Sequence, residues 1–143
     1  MGKKLKILFL KEGRSLYGAE KTILLLLKYL NRSVFEPFVI ILEYSETDSI
    51  FAVEAKKLGM QIILIRAKKG FDLGAVRIVR KYIKENKIDV LHNVGYKCDI
   101  LGKFASLGTG AMVTSSLHGW VRTNFKLKFY TWLDRCINLR FFN

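Results

Sequence analysis

Residues 5–30 read LKILFLKEGRSLYGAEKTILLLLKYL, and this stretch decides the fold. Leu5 to Leu10 is an apolar run closed by Lys11-Glu12, the pattern of a fully buried strand. Gly13 to Gly18 supplies loop chemistry. Ala19 to Leu30 then reads as a helix that ends at Asn31-Arg32-Ser33. Because Ile23 to Leu27 are apolar all round, this helix is expected to be buried over much of its surface.

Outward from this opening unit, strand and helix alternate to the end of the chain. Phe38 to Leu42 is a second strand, with Pro37 at its start, where a missing amide donor costs little. Residues 43–49 are a polar loop, and a short helix runs to Leu58 with Gly59 as its C-cap glycine. Gln61 to Ile65 is a third strand. Asp72 to Lys87 is the clearest amphipathic helix, with Asp72 as N-cap. Ala75, Val76, Val79 and Ile83 share one side of it, and Arg77, Arg80, Lys81 and Lys84 form a stripe on the other. Ile88 to Leu91 is a fourth strand, residues 97–107 a helix closed by Gly108 or Gly110, and Ala111 to Ser115 a fifth strand. A His118-Gly119 turn and a last helix from about Phe125 to Phe141 follow. Strands apolar throughout, rather than alternately, argue for a parallel sheet covered on both faces. The expected fold is therefore α/β: a Rossmann-like, doubly wound, mostly parallel sheet with helices on both faces.

A chain of 143 residues, half of them hydrophobic and with a single proline, fits one domain over residues 1–143. The densest apolar run stops at Lys28, far short of the roughly 20 residues a bilayer requires. The run Ile7 to Leu10 is likewise too short for the roughly 7–15 residues of a signal-peptide core. A cytoplasmic location is expected. Cys98 and Cys136 form no Cys-x-x-Cys pair, and with only His92 and His118 as further soft ligands no zinc site is expected. Lys and Arg number 25 against 12 acids, a formal net charge of +13. Such an excess implies an anionic partner, whether phosphate groups, anionic lipid or nucleic acid. No nucleic-acid motif accompanies it, and the basic residues are scattered.

In an open parallel sheet, ligands bind at the carboxyl ends of the strands. Three segments belong there: Glu12 to Glu20, His92 to Tyr96, and Ser116 to Trp120. In the first, glycines permit close backbone approach and the helix N-terminus offers free amides to an anion. It is neither the Gly-x-Gly-x-x-Gly fingerprint nor a Walker A loop. Alternatively it is an ordinary loop, with Glu20 placed favourably against the helix dipole. His92 and Asn93 follow an apolar strand, where they contact a ligand or are satisfied polar residues of the fold. Asn93, Tyr96 and Asp99 are further hydrogen-bonding candidates. His118, held by Gly119, can present its ring or backbone to a ligand. No second carboxylate pairs with Glu20 for acid–base work, and no Ser-His-Asp or Cys-His arrangement is present.

Gly18-Ala19-Glu20, Asp89-Val90-Leu91-His92 and Thr114 to Gly119, in this order and spacing, resemble the N-terminal, acceptor-side domain of a GT-B glycosyltransferase of the family 4-like type. Tyr17 stands where that family often has the first glycine of Gly-Gly-Ala-Glu. The resemblance implies one half of a GT-B enzyme, of hexosyltransferase type. Such an enzyme moves sugar from a nucleotide-diphosphate sugar to a glycan or lipid-linked acceptor, in polysaccharide or lipopolysaccharide biosynthesis. It implies substrate contacts from Gly18, Ala19, Glu20, His92, Asn93 and Gly119, with His118 as the catalytic candidate near the transferred sugar. No metal and no cofactor are implied, the nucleotide sugar being a substrate. The family's key Glu and Arg/Lys pair lie on a C-terminal donor domain that this chain lacks. A missing domain or a partner chain would then supply the donor wall, and the chain alone should be inactive. The aromatic and basic segment Phe125 to Phe142 is expected to pack on the domain. Its alternative is to lie on an anionic membrane, as is that of the Arg77 to Lys84 stripe. That would make the protein peripheral at the inner face of the membrane. The competing reading is a basic α/β module for an anionic membrane surface or nucleic acid, without sugar chemistry.

Overall fold

The computed structural model describes residues 2–13 and 16–116. Its elements are β1 (Leu5–Glu12), α1 (Gly18–Tyr29), β2 (Phe35–Glu43), α2 (Ile50–Lys57), β3 (Ile62–Arg66), α3 (Leu73–Asn86), β4 (Val90–Val94), α4 (Tyr96–Ser106) and β5 (Met112–Ser116). The strands form one sheet in the order β3-β2-β1-β4-β5, and every pairing is parallel. The chain winds outward through β1, β2 and β3, then returns to place β4 on the other side of β1. The order therefore reverses between β1 and β4, and a crevice opens at their carboxyl ends.

Alternation along each strand feeds two apolar layers. Leu8, Leu10, Ile40, Leu42 and Leu91 join Val76, Val79 and Ile83 of α3 and Leu101 of α4 in one. Phe9, Val39, Ile41 and Val94 meet Ile23 and Leu27 of α1 and Phe51 of α2 in the other. Each fully buried Leu, Ile, Val or Phe side chain contributes about 1.5–3 kcal/mol of transfer free energy. The helices begin and end on local chemistry. Asp72 Oδ1 accepts from the amides of Gly74 at 2.8 Å and Ala75 at 3.1 Å. Lys87 closes α3 in the left-handed region with φ 52°, and Gly59 follows α2 with φ 69°.

Three expectations are corrected. β1 runs on through Lys11 and Glu12, and β4 through His92 and Asn93 to Val94. Lys11, Glu12 and His92 find side-chain partners inside the fold. Asn93 donates from Nδ2 to Asp99, while its buried Oδ1 has no hydrogen-bond partner among the described residues. β2 begins at Phe35 rather than Phe38 and carries Pro37 inside it; Pro37 pairs with Ile7, while β3 joins only from Val39. Helix α1 buries Glu20, Ile23 and Leu27 alone and leaves Leu25 and Leu26 exposed. It rests on the sheet along one stripe, so an apolar run wider than that stripe spills into solvent. His118, Gly119 and the expected last helix lie outside the described residues.

Candidate functional site

The sheet's carboxyl ends finish level. Lys11 pairs with Val94 and Val94 with Ser116, and the Gly95 amide donates to the Ser116 carbonyl at 3.1 Å. Gly18 starts α1 on this same rim. Strands that end in charged or polar residues, under a layer of buried aliphatics, concentrate polar groups here.

Beneath α1, Lys11 and Glu20 form an ion pair with Nζ to Oε1 at 2.7 Å and both side chains only 6% exposed. Glu20 Oε2 accepts from the Tyr17 amide at 3.1 Å, tying the first helical turn together. Burial alone would raise the Glu20 pKa. The Lys11 hydrogen bond, the amides of Glu20 and Tyr17 and the charge of Lys11 outweigh it and hold the carboxyl below its ordinary value. Glu20 therefore anchors α1 to β1 as a carboxylate rather than standing free. Gly18 and Ala19 sit in the first turn, whose amides have no carbonyl partner within the helix. Neighbouring Gly13 cannot be replaced freely: a Cβ there would collide with the carboxylate of Glu43. Glu43, itself buried, accepts from the amide and hydroxyl of Ser49 at 3.0 and 2.6 Å.

On the α4 side, Glu12 Oε1 accepts from Tyr44 Oη at 2.9 Å and lies 3.2 Å from Lys97 Nζ. The Lys97 ammonium also stands 4.9 Å from the Tyr44 ring centroid. Deeper, Asp99 accepts from Asn93 Nδ2 at 3.4 Å, from Lys103 Nζ at 2.8 Å and from the Ser115 hydroxyl. Asn93 is fully buried against α4, and a Cβ at Gly102 would run into its amide.

His92 lies within β4, two residues short of the strand end. Its Nδ1 is 2.8 Å from Thr114 Oγ1 and its Nε2 2.9 Å from Ser116 Oγ. Its ring meets Phe9 edge-on at 5.3 Å. The imidazole thus cross-links β4 to the end of β5, the segment that leads to His118.

Of the seven site residues that the resemblance implied, Gly18, Ala19 and Glu20 therefore come together at the rim. His92 lies one side-chain layer below it, and Asn93 lies under α4. His118 and Gly119 are outside the described residues. Sequence reasoning placed Glu12 in the first candidate segment without giving it a role, and missed Lys11, Glu43, Tyr44, Lys97 and Lys103. The available signal was a charged or aromatic residue directly following an apolar strand, in Lys11-Glu12 and Glu43-Tyr44. Of the basic stripe on α3, Arg80 is not free: its guanidinium donates to the carbonyls of Phe104 at 2.7 Å and Ala105 at 3.3 Å.

A cleft opens beside this cluster, lined by Leu42, Tyr44, Lys69, Phe71, Lys97 and Leu101 among others. Among the described residues, no group of three His, Cys, Asp or Glu side chains could hold a metal ion. Nor is any helix among them long and apolar enough to cross a membrane.

The same architecture occurs in solved structures. HepE from Anabaena, crystallised with UDP, superposes with a TM-score of 0.74 at 19% identity, over 96% of this chain and 36% of its own. A glycosyltransferase from Rickettsia africae gives 0.67 at 19% identity, over 90% and 34%. A UDP-N-acetylglucosamine 2-epimerase gives 0.69 at 18% identity, over 94% and 39%. This chain thus spans little more than a third of each, and at such identities the likeness is one of fold. Comparison with curated proteins by sequence finds no match. The sequence profile of Glycosyltransferase Family 4, however, matches residues 17–143.

Proposed function

The chain belongs to glycosyltransferase family 4, and on that premise we propose that it forms the acceptor-side wall of a sugar-transfer cleft. The observation that carries the proposal is the polar rim at the β1/β4 reversal. There Gly18 and Ala19 open a helix beside the level ends of β1, β4 and β5. The reaction is hexosyl transfer from a nucleotide-diphosphate sugar to a glycan or lipid-linked acceptor, without a metal or a cofactor, on the cytoplasmic side. The UDP bound by HepE supports a nucleotide sugar as donor.

In this reading the amides of Gly18 and Ala19 receive polar groups of the acceptor. Glu20 and Lys11 hold that turn in place, and His92 positions the β5 end. His118 remains the catalytic candidate and Gly119 a substrate contact, both outside the described residues. Catalysis proceeds by positioning and by charge stabilisation. The donor pyrophosphate belongs to a second domain or partner chain, so the 143 residues alone bind acceptor and turn over nothing. The test is UDP release from UDP-glucose, UDP-galactose and UDP-N-acetylglucosamine by this chain, with and without a panel of glycans. The proposal expects none above the uncatalysed rate; steady turnover by the chain alone would refute it.

One observation favours a second contact, with an anionic membrane. Leu25 and Tyr29 are 55% and 74% exposed on the outer face of α1, and Lys28 Nζ stands 5.3 Å from the Tyr29 ring. Apolar and aromatic groups flanked by lysine suit an anionic lipid interface. Co-sedimentation with vesicles containing phosphatidylglycerol, lost in Leu25→Ser/Tyr29→Ser, is the expected outcome. Equal recovery with neutral vesicles would remove this contact.

A further inference from the structure

The cleft between the β3–α3 connection and α4 has features the rim does not. Its floor is apolar, made by Leu42, Ile100 and Leu101, while its walls carry two cations, Lys69 and Lys97, and two rings, Tyr44 and Phe71. Lys97 is an oriented cation, because Glu12 and the Tyr44 ring fix its ammonium from one side. It nevertheless keeps 28% of its side chain exposed. Phe71 stands at the lip, half exposed, with its ring edge-on to Phe104 at 5.4 Å. The cleft is partly open to solvent, and its inner space of about 30 Å³ has room for the oxygens of a carboxylate or phosphate.

Both nearby carboxylates are already engaged. Asp72 accepts from the amides of Lys68, Gly74 and Ala75. Glu12 is engaged by Tyr44 and Lys97. Lys69 has no carboxylate partner among the described residues. An oxyanion entering the cleft would therefore meet Lys69 and the open side of Lys97, with Phe71 as a platform for the ring that carries it. Charge-assisted hydrogen bonds to such a group are about twice as strong as neutral ones.

We propose that this cleft is a subsite for an acidic substituent, a carboxylate or phosphate, borne by the acceptor sugar. It rests on the acceptor-side reading above and deepens it by naming the acceptor's chemistry. The experiment is titration of the ¹⁵N-labelled full chain with glucose, glucuronate and glucose 6-phosphate. Shifts of the Gly70, Phe71 and Lys97 amides with either charged sugar and not with glucose are expected, and the two charged probes separate carboxylate from phosphate. Lys69→Met should weaken that binding by about tenfold, and Lys69→Arg should restore most of it. Lys97→Met should do the same; if that variant fails to fold, the Lys69 pair still decides. Glucose shifting these amides as strongly as the charged sugars, or unchanged affinity in Lys69→Met, would overturn the subsite. If sugars shift only the Gly13, Gly18 and Gly95 amides, the subsite fails while the acceptor-side reading stands. If no sugar, and no longer glycan, shifts either set, both fail.

Discussion

Replacing Lys11 with Met keeps the length and the apolar stem of the side chain and removes one charge from a 2.7 Å contact. The Glu20 carboxylate then stays 5% exposed with only amide donors about it. Stranding one member of a buried ion pair costs about 3–5 kcal/mol. An exposed pair such as Lys57–Glu54, with side chains 66% and 36% exposed, is worth about 0–1 kcal/mol. Against a typical domain stability of about 5–15 kcal/mol the loss is large. The sign of the pH dependence follows from Glu20. Its folded pKa is depressed below the ordinary carboxyl value of 4.5, so the natural chain holds this stabilisation above that value and loses it as pH falls through the folded pKa. In Lys11→Met the effect of burial dominates and raises the pKa, so acid favours the variant's folded form. The deficit should therefore be greatest near neutrality and shrink below about pH 4.5. Lys11→Met/Glu20→Leu, which removes both charges, should recover most of the loss. Urea denaturation followed by circular dichroism at pH 7 and pH 4 reads all three chains. A Lys11→Met cost under about 1 kcal/mol at pH 7, or one equal at both pH values, would refute the reasoning.

Gly13→Ala should destabilise by about 1–3 kcal/mol through collision with the Glu43 carboxylate, and Gly13→Ala/Glu43→Ala should relieve part of it in the same denaturation assay. Asp72→Ala removes the α3 cap and should cost about 1 kcal/mol, with amide exchange quickened at Gly74 and Ala75. Lys103→Met strands the fully buried Asp99 carboxylate and should cost about 3–5 kcal/mol, a larger loss than Asp99→Asn, which removes the more deeply buried charge of the pair. Thermal melts of the two variants compare them.

Among the described residues the fold was legible because β1 to β4 contain apolar runs and α2, α3 and α4 are marked by a cap or a stripe. Asp72 caps α3, Gly59 follows α2, and Ala75, Val76, Val79 and Ile83 bury together as their spacing requires. Strand ends were the weak point. Lys11, Glu12, His92 and Asn93 carry polar side chains that ordinarily mark a boundary. Here partners elsewhere in the fold engage them, namely Glu20 for Lys11, Tyr44 and Lys97 for Glu12, Thr114 and Ser116 for His92, and Asp99 for the Asn93 Nδ2 alone. No local pattern encodes such pairings. Of the site, the sequence located the rim and the turn at Gly18. It could not show that Glu20 is committed to Lys11, or that Asn93 faces α4 rather than the crevice.

The most direct measurement is an amide-resolved map of the full chain titrated with an acceptor glycan and, separately, with UDP-glucose. Perturbation by the glycan should centre on Gly13, Gly18, Ala19 and Gly95, at the β1/β4 crevice, while the nucleotide sugar leaves these amides unmoved. Glycan shifts confined to the opposite end of the sheet, or tight UDP-glucose binding at this rim, would contradict the account.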